Sequence, residues 1–259
     1  LRNIFIIHLH GGEVTHGSID DIFRHTITKM ANLHFVTNKI YEKRVIQLGE
    51  NPKTVFNYGS LSAENMTFSK FKEKSELEKK FNFKFQVNNI LVTFHPNTIK
   101  SNTFKELQVL LNVVKSMKDT QFFFTSSNND INGLEVNKVI KKFCKNNKNS
   151  IFIYSFGYEY YYSMMKHCDI MLGNSSSGII EAPIISLPVI NLGDRQNGRY
   201  FDKFVYNINF NKSLIMKQIK KILLNKNFQN NKIINFKNIN LKKNTHLKII
   251  GGGATHSEK

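Results

Sequence analysis

Acidic, basic and glycine residues are crowded into one short segment near the start of the chain. His8-Leu9-His10-Gly11-Gly12-Glu13 is followed by Asp20, Asp21, Arg24 and His25. Residues four apart on a helix share a face, so one carboxylate can be held by Arg24 while another serves proton transfer. Carboxylates in different surroundings are what proton abstraction and return require. The alternative, acids that favour a helix dipole, accounts for Asp20 and Asp21 but not for the loop residues.

A second segment with chemical potential is Gly173-Asn174-Ser175-Ser176-Ser177-Gly178-Ile179-Ile180-Glu181-Ala182-Pro183, which joins a strand pattern to a helix pattern. Small hydroxylated residues at such a junction predict an anion site, because backbone N–H groups and the helix dipole face it. Glu181 follows Ser177 by one helical turn and could accept hydrogen bonds from sugar hydroxyls. The segment therefore predicts a nucleotide, with diphosphate at the serines and ribose at Glu181. An ordinary serine N-cap is the alternative.

Three further motifs follow predicted strands. His95, restricted by Pro96, could donate to a leaving phosphate or act as an acid. A tyrosine of the run Tyr158–Tyr162 could stack on a base, and two arginines could pair with phosphate or acidic groups. Each motif also has a structural alternative: the histidine could be an ordinary loop residue, the tyrosines could pack an amphipathic helix, and the arginines could lie on a solvated basic loop. The two arginines are Arg195 and Arg199.

Strand and helix patterns alternate along the chain, which predicts an α/β fold with parallel sheets covered by helices. Ligands gather beyond the carboxyl ends of such strands, where these motifs lie. Strands are predicted near residues 4–9, 33–37, 54–58, 90–94, 121–125, 151–154, 170–172 and 189–192. Helices are predicted near 18–30, 39–48, 103–117, 134–144, 158–167, 176–181 and 213–224.

The first helix pattern has its own details. Ser18 is expected to cap it, with Asp21 completing a capping box. Its apolar face is expected to pack in the core, and comprises Ile19, Ile22, Phe23, Ile27 and Met30.

The domain organisation follows from this alternation. Residues 1–62 are predicted to be the later part of a first Rossmann-like domain, which is incomplete because it holds about three strands. Residues 63–88 are predicted to form a linker region, with 59–75 irregular. Residues 89–225 are predicted to be a second, nucleotide-binding Rossmann-like domain, and 226–259 a poorly defined tail from which a segment could return to the first domain.

Composition narrows the classes of partner. The chain has 259 residues, a formal net charge of +18 and 41% hydrophobic residues. Its lysines are dispersed rather than clustered with aromatic residues, so we expect no nucleic-acid partner, although a basic background favours a polyanionic small molecule. Cys144 and Cys168 are predicted to be buried packing residues without metal-ligand spacing. No signal peptide or membrane-length apolar run is present, and a cytoplasmic protein is expected.

Together the motifs carry a family resemblance. His10–Glu13, Asp20–His25, Thr93–His95 and Gly173–Pro183, in that order and supported by Gly193–Arg199, closely resemble the hydrolysing UDP-N-acetylglucosamine 2-epimerases. The resemblance runs from about Ile4 to about Leu224 and favours the branch that makes precursors of sialic- or legionaminic-type sugars. It implies a GT-B-like fold, in which two Rossmann-like domains face each other across a cleft, with the first domain truncated at its N-terminus.

The resemblance also implies a reaction. The C2 proton of the sugar is removed with anti elimination of UDP, and the 2-acetamidoglucal formed is hydrated with C2 inverted. No metal or nicotinamide cofactor is implied, the substrate is a UDP-sugar, and a homodimer is suggested. By position the roles are as follows: Glu13 and Asp20, with His10, for acid/base catalysis; His95 for UDP departure; Asn174, Ser175, Ser176, Ser177 and Gly178 for diphosphate; Glu181 for ribose; Tyr161 for uracil; and Arg24, Arg195 and Arg199 for further substrate contacts.

The sequence also departs from the family. The family's further catalytic aspartate, in a Gly-Asp motif, and a first-loop arginine would precede Leu1, and its closing helix is not recognisable after Leu224. We therefore expect the isolated chain to have little activity. Two other readings remain open: a glycosyltransferase of the same architecture, which has less need of the acidic pair, and a non-catalytic nucleotide-sugar-binding fragment.

Overall fold

The computed structural model describes residues 4–16, 19–97, 102–128 and 131–225. The strands in these ranges are β1 (Ile7–Leu9), β2 (Leu33–Val36), β3 (Val55–Asn57), β4 (Asn89–Thr93), β5 (Gln121–Thr125), β6 (Ser150–Ile153), β7 (Ile170–Gly173), β8 (Val189–Leu192) and β9 (Val205–Ile208). The helices are α1 (Asp20–Met30), α2 (Lys39–Gln47), α3 (Leu61–Phe68), α4 (Lys74–Phe81), α5 (Thr103–Ser116), α6 (Gly133–Lys145), α7 (Gly157–His167), α8 (Ser177–Ile180) and α9 (Lys212–Leu224).

Six of the strands form one parallel sheet in the order β6-β5-β4-β7-β8-β9. Every residue of β4 and β5 is buried, as expected for parallel strands covered on both faces. The strand order reverses between β4 and β7, where Leu91 pairs in register with Met171. Open α/β sheets bind ligands at such a reversal, beyond the carboxyl ends of the strands.

Helices cover both faces of this sheet, which confirms the predicted doubly wound arrangement. On one face Val92 packs in a core with Leu110 of α5 and Ile219 of α9. On the other face Leu91 packs in a second core that also contains Met164 of α7. The carboxyl ends of the strands therefore lie between two apolar layers. This packing fixes the positions at which the loops after β4 and β7 begin.

The remaining three strands form a smaller parallel sheet in the order β1-β2-β3. Its buried core is small and lies between the sheet and α2, with Val36, Tyr41, Val45 and Val55 as its members.

The expectation that the apolar face of α1 packs in the core is wrong for the described chain. The five predicted residues are 43% to 68% exposed. Hydrophobic spacing identifies a face that needs cover, but not whether any described element covers it. What holds α1 on the sheet is polar, because the buried Thr28 hydroxyl contacts Nδ1 of His8 at 3.2 Å. The predicted cap at Ser18 lies outside the described residues.

Three elements differ from the sequence prediction. Residues 59–75 were expected to be irregular, yet α3 occupies Leu61–Phe68, and α4 and β9 were not predicted. Met66 of α3 and Leu77 of α4 are fully buried in the core under the six-stranded sheet. The domain boundaries, including the 63–88 linker, stay a prediction, and the tail at 226–259 lies outside the described residues.

The cysteines agree with the sequence prediction that they serve packing. Cys168 is buried in the core beneath β7, and the half-buried Cys144 packs against the core on the other face. Among the described helices, none combines the length and the hydropathy that a bilayer crossing requires.

Gly173 gives a test of how tightly β7 packs on β4. Its φ is +140°, and a Cβ added there would lie 2.0 Å from the carbonyl oxygen of Thr93. We expect Gly173→Ala to lower the free energy of unfolding by more than the roughly 1–3 kcal/mol of backbone strain alone, measured by urea denaturation. Gly59→Ala is the matched control, since Gly59 has φ +87° but no atom within 4 Å of an added Cβ. Equal losses in both variants would contradict the close approach.

Candidate active site

The loop after β1 packs closely against α2 and carries Glu13. Gly12 has φ +78°, and a Cβ there would lie 2.5 Å from the carbonyl oxygen of Tyr41, so only glycine fits. Arg44 of α2 donates to the carbonyl oxygen of Gly12 at 2.6 Å. His10 is itself left-handed, with φ +63°, and its Nδ1 lies 3.1 Å from Oε1 of Glu13. Strained non-glycine residues of this kind concentrate at functional sites.

Glu13 is almost completely buried and is approached by positive groups from two directions. Its Oε2 lies 2.7 Å from NH1 of Arg199, a residue that follows β8. Arg24 of α1 donates to the Glu13 carbonyl oxygen at 3.2 Å. Burial alone would raise the pKa of Glu13, but the His10 hydrogen bond and the charges of Arg199, His10 and Arg24 lower it below its usual range. Glu13 is therefore ionised at neutral pH.

The acidic residues of α1 are arranged around Asp21. Its Oδ1 accepts from the backbone N–H of Thr15 at 2.8 Å. The same oxygen lies 3.5 Å from Arg24 and 3.8 Å from His25. Arg24 thus holds one carboxylate of the pair, as predicted. Asp20 lies in the first turn of α1, and its acid/base role stays a prediction.

A second group of residues surrounds His95 at the end of β4. The Asn174 side chain accepts from the His95 backbone N–H at 2.7 Å and donates to the His95 carbonyl oxygen at 2.8 Å. This amide clamp joins the loop after β4 to the loop after β7. Asn174 is therefore a scaffold for His95 in this structure, in addition to its predicted place in the diphosphate loop.

The imidazole of His95 is held in one protonation state. Its Nδ1 accepts from the backbone N–H of Asn128 at 3.1 Å, so a neutral ring carries its proton on Nε2. Burial, with the nearby charge of Arg195, lowers the pKa of His95 to about 3. Without a ligand the ring can donate a hydrogen bond but does not carry a positive charge at neutral pH.

The serine loop after β7 is organised by side-chain hydroxyls. Oγ of Ser177 lies 3.0 Å from Oγ of Ser175 and 2.8 Å from the hydroxyl of Tyr161. These three residues line a cavity of about 610 Å³ at the carboxyl ends of β4, β5 and β6, together with Thr93, Ser127 and Tyr158 among others. Burial raises the pKa of Tyr161 to about 12, so its hydroxyl keeps its proton.

The helix that follows this loop is shorter than predicted. α8 has four residues, Ser177–Ile180, in place of the expected 176–181, and Ser176 at its N-cap makes no side-chain capping bond. Ser175 instead accepts from the backbone N–H of Ser177 through its Oγ at 3.4 Å, so the alternative of a serine cap stays open. A four-residue helix also has little macrodipole, so an anion here would depend chiefly on the hydroxyl groups. Gly178 is needed for packing, because a Cβ would lie 3.0 Å from Val189 of β8.

Glu181 lies directly after α8, with its side chain against Ser62 of α3. Its Oε2 is shielded from solvent and, in the part of the chain that the structure describes, has no hydrogen-bond partner. Burial raises the pKa of Glu181, and a hydrogen bond from Ser62 opposes that rise. Burying a carboxyl oxygen without a hydrogen-bond donor costs free energy. This oxygen can therefore accept a hydrogen bond from a ligand.

The loop after β8 is fixed to the loops around His95. Arg195, which is buried, donates from Nε to the Pro96 carbonyl oxygen and from NH1 to the Asn174 carbonyl oxygen, both at 3.3 Å. The fully buried Gln196 donates to the same Asn174 oxygen at 2.8 Å. The predicted substrate contact of Arg195 stays a prediction, since the structure shows it holding backbone. Sequence reasoning missed Gln196, because an amide between two arginines has no periodic or motif signal.

The same loop continues across to the smaller sheet. The Asn197 carbonyl oxygen accepts from the backbone N–H of His16 at 2.9 Å, and Arg199 reaches Glu13. The structure thus brings the acidic loop after β1 and the serine loop after β7 onto one connecting segment. Among the described residues, no group of three or more His, Cys, Asp or Glu side chains is arranged to hold a metal ion.

Similarity to known proteins identifies the family of this chain. The family described as UDP-N-acetylglucosamine 2-epimerase matches residues 1–251. The chain belongs to the UDP-N-acetylglucosamine 2-epimerase family. A GDP/UDP-N,N'-diacetylbacillosamine 2-epimerase (hydrolyzing) of Campylobacter jejuni is 44% identical over 201 residues, which are 77% of this chain and 52% of that protein. The polysialic acid biosynthesis protein P7 of Escherichia coli is 40% identical over 221 residues, 85% of this chain and 56% of that protein.

A solved structure extends the family assignment to the fold. The UDP-GlcNAc 2-epimerase from Neisseria meningitidis bound to UDP-GlcNAc superposes with a TM-score of 0.69 at 18% identity, covering 90% of this chain and 65% of that one. The predicted GT-B-like α/β fold is thereby confirmed for the part that the chain covers. The chain spans about half the length of these two curated relatives.

The protonation state of His95 can be measured directly. We expect its ring resonances, identified by their loss in His95→Gln, to stay unchanged between pH 8 and pH 5, because a pKa near 3 leaves the ring neutral throughout that range. The measurement is a ¹H–¹³C NMR titration of the ligand-free protein. A midpoint between pH 6 and pH 7 would contradict the neutral ring that burial and the charge of Arg195 favour.

Proposed function

We propose that the chain is the part of a hydrolysing UDP-sugar 2-epimerase that binds UDP and carries a proton-transfer carboxylate. The observation that carries the proposal is the segment after β8, whose Gln196 holds the serine loop and whose Arg199 holds Glu13. A nucleotide at the serine loop would place its sugar toward Glu13. The relatives named as epimerases support the reaction class.

In the proposed reaction, Glu13 and Asp20 serve as the base and acid, and His10 orients Glu13. The electrons of the C2–H bond form a C1=C2 double bond while the C1–O bond breaks and UDP leaves with its electron pair. Water then adds, with hydroxyl at C1 and a proton at C2 on the opposite face. The ionised state of Glu13 supports its use as the base, because a carboxylate can accept the proton only in that form.

The departing diphosphate requires donors rather than acceptors. We assign His95 to this task as a neutral Nε2–H donor, with the hydroxyls of Ser175 and Ser177 beside it and Ser176 and Gly178 supplying backbone. Tyr161 is proposed to lie against uracil. The assignment differs from a charged acid, since burial keeps the ring neutral before the ligand binds. The Glu181 oxygen without a donor supports its role as the ribose ligand. Arg24, Arg195 and Arg199 remain candidates for sugar or phosphate contacts.

For the substrate we propose UDP-N-acetylglucosamine or UDP-N,N'-diacetylbacillosamine, giving UDP and N-acetylmannosamine or its analogue for sialic-acid-type sugars. The relatives' names support both. We further propose a cytoplasmic homodimer that needs no metal or nicotinamide and binds neither nucleic acid nor membrane. Two cysteine thiols fit a reducing compartment. We propose that the chain by itself has little epimerase activity.

Binding of UDP to the chain tests the nucleotide site without turnover. We expect Ser177→Ala and Glu181→Ala each to weaken binding by about tenfold, through loss of hydrogen bonds to phosphate and ribose, as measured by isothermal titration calorimetry. Ser116→Ala, at the end of α5, and Glu135→Ala, at an exposed position in the first turn of α6, are matched controls. Unaltered dissociation constants in the two site variants would reject these roles.

Product analysis tests the reaction in a protein extended to the length of its relatives. In D₂O we expect free 2-epimerised sugar with deuterium at C2, and Glu13→Gln to reduce kcat by at least about 10²-fold with UDP affinity retained. Glu42→Gln on α2 is the control. A new glycoside as product would instead identify a glycosyltransferase, and UDP binding without turnover in the extended wild-type protein would identify a binding module.

A further inference from the structure

We propose that Arg199 is a positioning residue, which holds the Glu13 carboxylate in its orientation through a buried ion pair with the segment after β8. The inference rests on the proposed function for its catalytic meaning. The contacts that carry it do not depend on any ligand.

The two oxygens of Glu13 are committed to different parts of the molecule. Oε1 faces His10, three residues away on the same loop, and Oε2 faces Arg199 at 2.7 Å. Both side chains of the ion pair are buried, with 4% of Glu13 and 8% of Arg199 exposed. A pair shielded to this degree is screened little by salt and fixes the rotamer of each partner.

The backbone that carries Arg199 is docked independently of its side chain. Asn197 accepts from the His16 N–H at 2.9 Å, and the Tyr200 N–H donates to the Tyr41 hydroxyl at 3.2 Å. Between them Gly198 has φ +91°, and a Cβ there would lie 2.5 Å from Val14. These contacts would keep the segment in place after Arg199 is replaced, so the charge can be removed without removing the docking.

Three groups set the charge state of Glu13. Arg24 of α1 and His10 belong to the smaller sheet and its loop, whereas Arg199 belongs to the segment after β8. Burial opposes ionisation, and the positive groups together overcome it. Loss of Arg199 would leave a buried carboxylate with only two of the three, which favours the protonated form.

A cavity of about 420 Å³ adjoins this ion pair. It is lined by residues of α2, α8 and the segment after β8, including Glu13, Tyr41, Ile180, Arg199, Tyr200 and Lys203. The pair is therefore reachable by a small molecule although it is shielded from bulk solvent. A group entering there would meet a carboxylate already oriented by Arg199.

The test is a carboxyl ¹³C NMR titration of glutamate-labelled chain, with the Glu13 resonance identified by its loss in Glu13→Gln. We expect the midpoint of Glu13 to rise in Arg199→Met. In Arg199→Lys, which keeps the positive charge but loses the two-pronged guanidinium group, we expect a midpoint between those of Arg199→Met and the wild type. Lys203→Met is the matched control, because it removes one positive charge from the same segment and lines the same cavity. A wild-type midpoint in Arg199→Met, or an equal rise in Lys203→Met, would overturn the inference.

Should Arg199→Met fail to fold, Arg199→Lys carries the test, and an unchanged midpoint in it would overturn the proposal. In the extended protein the acid limb of the kcat/KM pH profile should move upward with the same variants, which a purely structural role would not produce. The titration needs no turnover. Absence of epimerisation together with a raised midpoint would therefore reject the proposed function while leaving the link between Arg199 and Glu13 in place.

Discussion

The segment after β8 is the constraint on which the candidate site depends, because it must satisfy buried groups on two sheets at once. Gln196 donates a hydrogen bond to the Asn174 carbonyl oxygen, and Arg199, three residues later, forms an ion pair with Glu13. Removing one partner of a buried ion pair typically costs about 3–5 kcal/mol, since the other charge is left uncompensated. A change in this segment is therefore felt both at the serine loop and at the acidic loop.

The two carboxyl groups Glu13 and Glu181 have opposite pKa shifts in the structure. Positive neighbours lower the pKa of Glu13, whereas burial raises that of Glu181, where Ser62 is the hydrogen-bond donor. Glu13 is thereby suited to accept a proton, and Glu181 to accept hydrogen bonds from hydroxyl groups with little repulsion of other negative groups. Opposite pKa shifts in two carboxyl groups of one site suit the two groups to different roles. The neutral ring of His95 adds a donor without adding charge.

The sequence predicted the parts of this fold that local patterns determine. β4 and β5 are continuous apolar runs, and α5 and α9 have regular apolar spacing, so both the elements and their order were readable. α3 was missed because Leu61, Met66 and Phe68 do not share one face, and Met66 is buried only through tertiary packing. Glu13 and Asn174 were found from motif chemistry. The pairing of Glu13 with Arg199 depends on how two sheets meet, and that of Asn174 with Gln196 on how two neighbouring loops of one sheet meet, and no local pattern encodes either.

The exposed apolar face of α1 bears on how Glu13 is held. Since that face makes no buried core in the described chain, the loop after β1 cannot owe its geometry to hydrophobic packing from this side. It is held instead by polar contacts to other elements: Arg44 at Gly12, His16 at Asn197 and Arg199 at Glu13. Directional bonds fix a carboxylate more narrowly than apolar contact does, because each one limits both distance and angle. Uncovered apolar surface on α1 and a well-defined Glu13 are therefore compatible, and the precision of the site originates in the segment after β8 and in α2.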